Sequence, residues 1–386
     1  MIKHGKLMLV VILVMMLSFV NAGCWDNKEL SERTIVLGAG FDVLLGGERG
    51  ALVTVEFPKF VTGGSEAGKI EPKVSSESGP SLFQAIRHFT LHLGKKLFWG
   101  NVAVLIVGED FAREGLFALV DFYVRDQELR LSPYLLVAKG SRATEVINGL
   151  KGETSTLGSQ QILATMEGQA ATGEIRARKV KDFLQQLNTE GIQPSLAVIE
   201  REGGSKSYTV KGTAVFKQDQ LVGWLNTKET RGLNWLSGDI KGGLLNVDYE
   251  GKKEALTLEI FRASVTKKAE LSMDEEIIYQ PEISVVVNIA ELNQPVDISA
   301  PGYLDKVKKA AAVEIEKEAQ LAFKMLQQLK SDAIGVGHFF YQNNTQHWQE
   351  VKGTWDDEVF PRIKLQPKIE VTVKRSNLIL KRVQVR

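Results

Sequence analysis

The side chains that could do chemistry are few. His88 and His92 stand four residues apart, a spacing that puts two imidazoles on one helical face where they could share a metal ion. No HExxH pattern surrounds them and no third ligand accompanies them, so two partly exposed helix residues are the simpler expectation. His338 and His347 bring no further ligands. The acid run Asp356-Asp357-Glu358 lacks the spaced oxygens of a calcium loop and reads as a solvated turn. Gly38-Ala39-Gly40 lacks the helix that would make it a dinucleotide turn, and the chain contains neither GxSxG nor GxxxxGK[ST]. The expectation is a protein that is not an enzyme and takes no cofactor or metal. Glu229, Arg231 and Trp235 are candidates for contact with a partner, although the two charges could equally pair locally, and a structural role is the stronger expectation for both.

The remaining reactive group is the thiol of Cys24, the single cysteine among 386 residues. Upstream lie Lys3 and Lys6, then an apolar run from Leu7 to Val20 broken only by Ser18, then the small-residue end Asn21-Ala22-Gly23. As a helix that run spans ~21 Å, short of the ~30 Å hydrocarbon core, which suits a signal peptide over residues 1–23 better than a permanent membrane span. Small residues before the cysteine let the chain lie extended in a peptidase cleft and leave the thiol open to diacylglyceryl transfer. The pattern resembles the lipobox of bacterial lipoproteins, departing from it in Asn21, where leucine is usual. Two acyl chains on Cys24 would hold the chain stably to a membrane without any basic patch. A tether over residues 24–33 then keeps the body within ~35 Å of the bilayer.

The elements behind these residues form an α+β pattern. Removing Lys3 and Lys6 from the 48 basic residues leaves 46 against 47 acids, a balance that offers no electrostatic footprint for nucleic acid. A first unit, 34–150, reads as a strand from Thr34 to Leu45, a glycine turn, a strand from Ala51 stopped by Pro58, and a loop from Thr62 to Gly79. Ser81 and Gln84 then form a capping box that opens a helix to Leu93. Asp110 is placed to cap one helix reaching Val124, between apolar strands at 102–107 and 133–138. A second mixed unit, 151–250, has helices near 160–168 and 180–187 and strands at 207–217 and 221–225. A third, 251–386, holds a long helix at 302–330, where Val307, Ala311, Ile315, Ala322 and Leu326 recur at helical steps. Three dissimilar units without an internal repeat argue against the two-lobed solute-binding lipoprotein of a transporter, which is the alternative reading.

The whole chain from Cys24 onward resembles the Ger(x)C lipoproteins, the C subunits of nutrient germinant receptors in spore-forming bacteria. The resemblance is carried in order by Gly23-Cys24-Trp25-Asp26, then Leu97-Phe98-Trp99-Gly100 running into Val104 to Glu109. Gly212 to Lys217 follows, with Glu229-Thr230-Arg231-Gly232-Leu233 and Trp235-Leu236, and last Asp332, Gly335 to Gly337, Trp348 and Trp355. It implies three consecutive mixed domains after a lipoprotein signal peptide, on the outer face of the spore inner membrane. It also implies membrane-embedded A and B subunits as partners, with an assembly or coupling role for this chain.

Overall fold

The computed structural model describes Gly5 and residues 33–374, apart from 45, 47–48, 62–68, 151–156, 203–206, 272–275 and 294–299. The expected signal peptide (apart from Gly5), Cys24 and all of the tether before Arg33 lie outside the described residues.

The first elements are β1 (Arg33–Ile35), β2 (Gly38–Val43), β3 (Ala51–Phe60), β4 (Ile70–Gly79), α1 (Leu82–Leu93), β5 (Lys96–Phe98) and β6 (Val104–Gly108). Then come α2 (Glu109–Glu114), α3 (Phe117–Arg125), β7 (Tyr134–Lys139), α4 (Ala143–Leu150), α5 (Gly158–Glu167), α6 (Val180–Leu187), β8 (Ser195–Arg201), β9 (Tyr208–Lys217) and β10 (Gln220–Leu225). Eight of these strands form one sheet in the order β10-β9-β8-β7-β6-β2-β3-β4, parallel from β8 to β2 and antiparallel at both flanks. Alternation along the central strands feeds two cores. Leu105, Val107, Leu135 and Val137 pack under α1, α2, α3 and α6, while Val104, Ile106, Leu136 and Ala138 pack under α4 and α5.

Several expectations need correction. The border expected at residue 150 falls inside the large sheet, because β7 before it is hydrogen-bonded to β8 after it. Two buried acids hold the crossing in place. Asp42 on β2 accepts the N–H groups of Ala143 (2.8 Å) and Thr144 (2.9 Å) at the start of α4. Glu56 on β3 does the same for Gly158 (2.8 Å) and Ser159 (2.9 Å) at the start of α5, so two helix N-termini are satisfied by carboxylates from earlier strands. Pro58 does not stop β3, and β4 occupies much of the expected loop. Glu56 accepts from the Leu37 N–H, so Pro58 two residues on faces the same side, just past the end of β2, where no ladder donor is needed. The helix expected from Asp110 to Val124 is two helices, because Gly115 adopts φ 121° and Asp219 from the β9–β10 turn caps α3 through the Phe117 N–H at 2.9 Å. Strand β8 had no counterpart in the sequence reading; Ser81 caps α1 as expected, accepting from the Gln84 N–H, but the Gln84 side chain accepts from the Ser81 hydroxyl at 3.2 Å, so the expected box is only half formed.

The C-terminal half comprises α7 (Thr227–Ser237), β11 (Gly243–Tyr249), β12 (Lys252–Thr266), β13 (Ala269–Leu271), β14 (Ile277–Tyr279) and β15 (Glu282–Leu292). They are followed by α8 (Tyr303–Gln328), α9 (Val336–Asn343), α10 (Thr345–Val351), β16 (Lys364–Leu365) and β17 (Lys368–Val373). A four-stranded sheet runs β11-β12-β15-β17. Helix α8 matches the expected long helix and spans ~39 Å. Its first half packs Val307, Ala311 and Ile315 on that sheet, and its second half packs Ala319, Ala322, Phe323 and Leu326 among α7, α9 and the β9–β10 hairpin. One helix therefore belongs to two cores and joins them.

Candidate functional site: a buried polar seam around α7

Helix α7 begins with a capping box: the Asn226 side chain accepts the Glu229 N–H at 3.0 Å and the Glu229 carboxylate accepts the Asn226 N–H at 2.8 Å. Glu229 thus spends its carboxylate on its own helix. One turn on, Arg231 donates from Nε to Glu318 Oε2 at 2.8 Å, makes a second, shorter bond from Nη2 to Glu318 Oε1, and reaches the Leu244 carbonyl from Nη1 at 2.7 Å. Trp235 Nε1–H donates to the same Glu318 at 3.0 Å. Glu318 is fully buried, so its two oxygens are satisfied inside the protein by a bidentate guanidinium and an indole. Burial alone would lower the Arg231 pKa, but the bonds and charge of Glu318 outweigh it and raise it. The three candidate contact residues are all buried, at 9%, 7% and 0% exposure, and they present no surface to a partner. Their partners are internal, in keeping with the structural role expected of the two charges.

Between them sits Gly232, where a methyl group would collide with the Glu318 carbonyl oxygen and with Ala322. The absent side chain lets the α7 and α8 backbones approach each other closely, which places Arg231 and Trp235 around Glu318. A second cluster ties α7 to the large sheet. Arg176 donates to Ser195 Oγ at 2.6 Å and to Asn234, Ser237 and Asp239, each at 2.9 Å, and Arg178 joins Asp239 at 2.5 Å. Burial would raise the Asp239 pKa, but the two guanidiniums hold it well below the usual carboxylate range. Burial lowers Arg176 to about 10, with neighbouring Arg178 adding to the shift.

The third cluster centres on Asp332, after α8. Its Oδ1 accepts the N–H groups of Gly335 (2.8 Å) and Val336 (3.1 Å), and its Oδ2 accepts those of Gly337 (2.7 Å) and the Trp355 indole (3.0 Å). Burial outweighs these four donors and raises its pKa to about 6, with Asp356 adding a like charge. Asp356 is not the solvated turn residue expected. It accepts the Asp332 N–H at 3.1 Å and the Gln193 amide at 2.6 Å, while Asp357 pairs with Lys217 at 2.7 Å. The expected motif residues Trp348 and Trp355 pack edge to face, with centroids 5.3 Å apart.

The remaining expected residues stay apart. His88 bonds the Ser78 carbonyl at 2.8 Å, and His92 lies 3.4 Å from Glu77. Among the described residues no group of three or more His, Cys, Asp or Glu is placed to hold a metal, and no helix is long and apolar enough to cross a membrane. Sequence reasoning missed Glu318, Arg176 and Asp239. A signal for the first was present: Glu318 lies three residues after Ile315 and four before Ala322, an acid inside an apolar stripe. No such signal marked Arg176 or Asp239, whose partner lies 63 residues away. What the seam does is structural: every strong donor in it meets an acceptor, and it joins the large sheet, α7 and α8 into one connected body.

Comparison with known proteins finds two successive family matches, whose border falls between the paired strands β8 and β9. Residues 26–201 match the family described as spore germination protein N-terminal domain, and residues 211–377 match spore germination B3/GerAC like, C-terminal. Spore germination protein KC of Bacillus subtilis (strain 168) is 26% identical, with 96% of each chain covered, and spore germination protein B3 of the same organism is 21% identical over 87% of this chain and 89% of its own. A crystal structure of the GerBC protein superposes with a TM-score of 0.55 at 18% identity, covering 91% of this chain and 100% of that one, which supports the α+β fold. With both family domains matched in order and relatives aligned along nearly the whole length, the chain belongs to the Ger(x)C family of spore germination proteins.

Proposed function

We propose that this chain is the lipid-anchored C subunit of a spore nutrient germinant receptor, working beside membrane-embedded A and B subunits in assembly or in coupling nutrient sensing to germination. The observation that carries this reading is the succession of the two germination-protein domains over residues 26–201 and 211–377, beginning two residues after Cys24. The buried seam supports it, because three buried polar clusters spent on internal joints suit a rigid connector. The lipid on Cys24 and the outer face of the inner membrane as its location are parts of the same proposal.

The experiment compares wild-type and Cys24→Ala spores. Wild-type chain is expected in the membrane fraction with a diacylglyceryl N-terminal peptide by mass spectrometry. The variant is expected in the soluble fraction with an unchanged melting temperature and a slower nutrient response, because confinement to a membrane raises effective concentration by ~10²–10⁴. A released variant present at normal level that germinates at the wild-type rate would show that the anchor is dispensable.

A further inference from the structure

Helices α1 and α3 lie on the same side of the large sheet, but unlike α7 and α8 they do not close on each other. Between them runs an open groove of about 800 Å³. Its floor is apolar: Leu82, Ile86, Leu97, Trp99 and Phe122, with the last two rings in edge contact at 6.1 Å. Its rims carry exposed aromatic rings, Phe83 at 49% exposure and Phe117 at 71%, and Leu91 and Val124 on the same two helices are 86% and 65% exposed. Phe83 and Leu91 stand eight residues apart with Arg87 between them, its guanidinium 4.8 Å from the Phe83 ring, so one helical stripe is left unpartnered. Large rings on a rim are not covered by a small solute, which would fill the floor and leave them wet.

The walls differ in charge. Arg87 and Lys96 come from α1 and β5. Asp121, Asp126 and Glu128 come from α3 and the turn after it, with Arg125 bonded back to Asp121 at 2.7 Å. The end of the groove is also where the chain comes from the N-terminus: Arg33 pairs in register with Lys96 and lies 3.5 Å from Glu128. Arg33 lies nine positions after Cys24, so an acylated Cys24 holds the groove within ~32 Å of a bilayer.

We propose that this groove seats an amphipathic helix of a membrane-embedded protein partner, laid between α1 and α3 with its apolar side on Trp99 and Phe122. The placement near the bilayer rests on the lipid-anchored reading above. The concave apolar floor with two charged walls of opposite sign matches a helix that has an apolar stripe flanked by acids on one side and bases on the other. A bilayer surface fits less well, because it cannot fill a groove and its anionic headgroups would meet the acidic wall.

The test places a photo-crosslinking benzoylphenylalanine at Phe83, Phe117 or Val313 of the full-length chain in intact spores, followed by irradiation and mapping of the joined peptides. Val313, 64% exposed on α8, is the control. The expected result is an adduct from positions 83 and 117, but not 313, to one helical segment of a membrane-spanning polypeptide. Arg87→Glu should reduce the adduct from position 117 at least fivefold. Adducts to lipid alone, to a second copy of this chain or to its own residues 25–32 would overturn the proposal, as would no polypeptide adduct at all. An unmodified Cys24 in the same samples refutes the anchor instead, so the two failures are told apart.

Discussion

Two helix pairs in this molecule meet in opposite ways. Helices α7 and α8 touch through Gly232, and the contact encloses Arg231, Trp235 and a fully buried Glu318. Helices α1 and α3 stand apart over an apolar floor, with Phe83 and Phe117 in solvent. The first pair carries the residues that look functional in the sequence, a charged pair followed by a tryptophan, yet all of that chemistry is spent internally. The second pair carries no motif and leaves its binding capacity unspent. A charged cluster with aromatic company is thus a poor guide to a partner surface until burial is known, and an exposed ring beside an apolar floor is a better one.

The contrast is sharpest when the closed pair is broken. Glu318→Leu leaves the Arg231 guanidinium buried without its bidentate acceptor and is expected to destabilise the protein by about 3–5 kcal/mol in urea unfolding. Combining it with Arg231→Met should recover most of that loss, since an apolar pair of similar volume replaces a buried ion pair at little net cost. A single variant as stable as wild type would show that the seam does not hold the two halves together. A smaller effect is expected of Gly232→Ala. Alanine favours helix by ~1 kcal/mol over glycine, but here its methyl meets the Glu318 carbonyl and Ala322, and the overpacking should dominate, for a net loss of about 1–3 kcal/mol in the same measurement. A net gain would mean that α7 and α8 can separate freely.

What the sequence revealed follows the range of the interactions involved. Helix α8 was legible over almost its whole length because its stripe is a local periodicity, and so was the Ser81 cap, which closes within three residues. Glu56 was not legible as the cap of α5, since its partners lie 102 and 103 residues away. Nor was the continuity of the large sheet, for β7 and β8 are separated by three helices, α4, α5 and α6, that look like the start of a new unit. Pro58 misled for a related reason: proline excludes a ladder donor, and only the register with β2 reveals that none is needed there. Among the candidate contact residues, the sequence identified a cluster but not its address, because burial of Arg231 depends on α8, 87 residues on. The groove was invisible, as Phe83 and Phe117 read like any apolar residues of two amphipathic helices.

The smallest effect on stability is expected in the open pair. Phe117 sits in the first turn of α3 with 71% of its surface in solvent, so replacing it by serine removes little packing and leaves no cavity. Phe117→Ser should therefore change the unfolding free energy by no more than about 0.5 kcal/mol, in contrast to the seam variants. Serine costs α3 little helix propensity against phenylalanine, and Asp219 still caps the helix through the backbone N–H of residue 117, which the substitution retains. If the groove seats a helix, the same variant should weaken the nutrient response of spores while the protein remains at normal level in the membrane. A loss of stability above 1 kcal/mol would mean instead that the ring is packed within the protein, and the groove would then be closed in solution. A stable variant with a wild-type response would leave both helix pairs serving the fold alone, and the difference between them would be one of packing rather than of function.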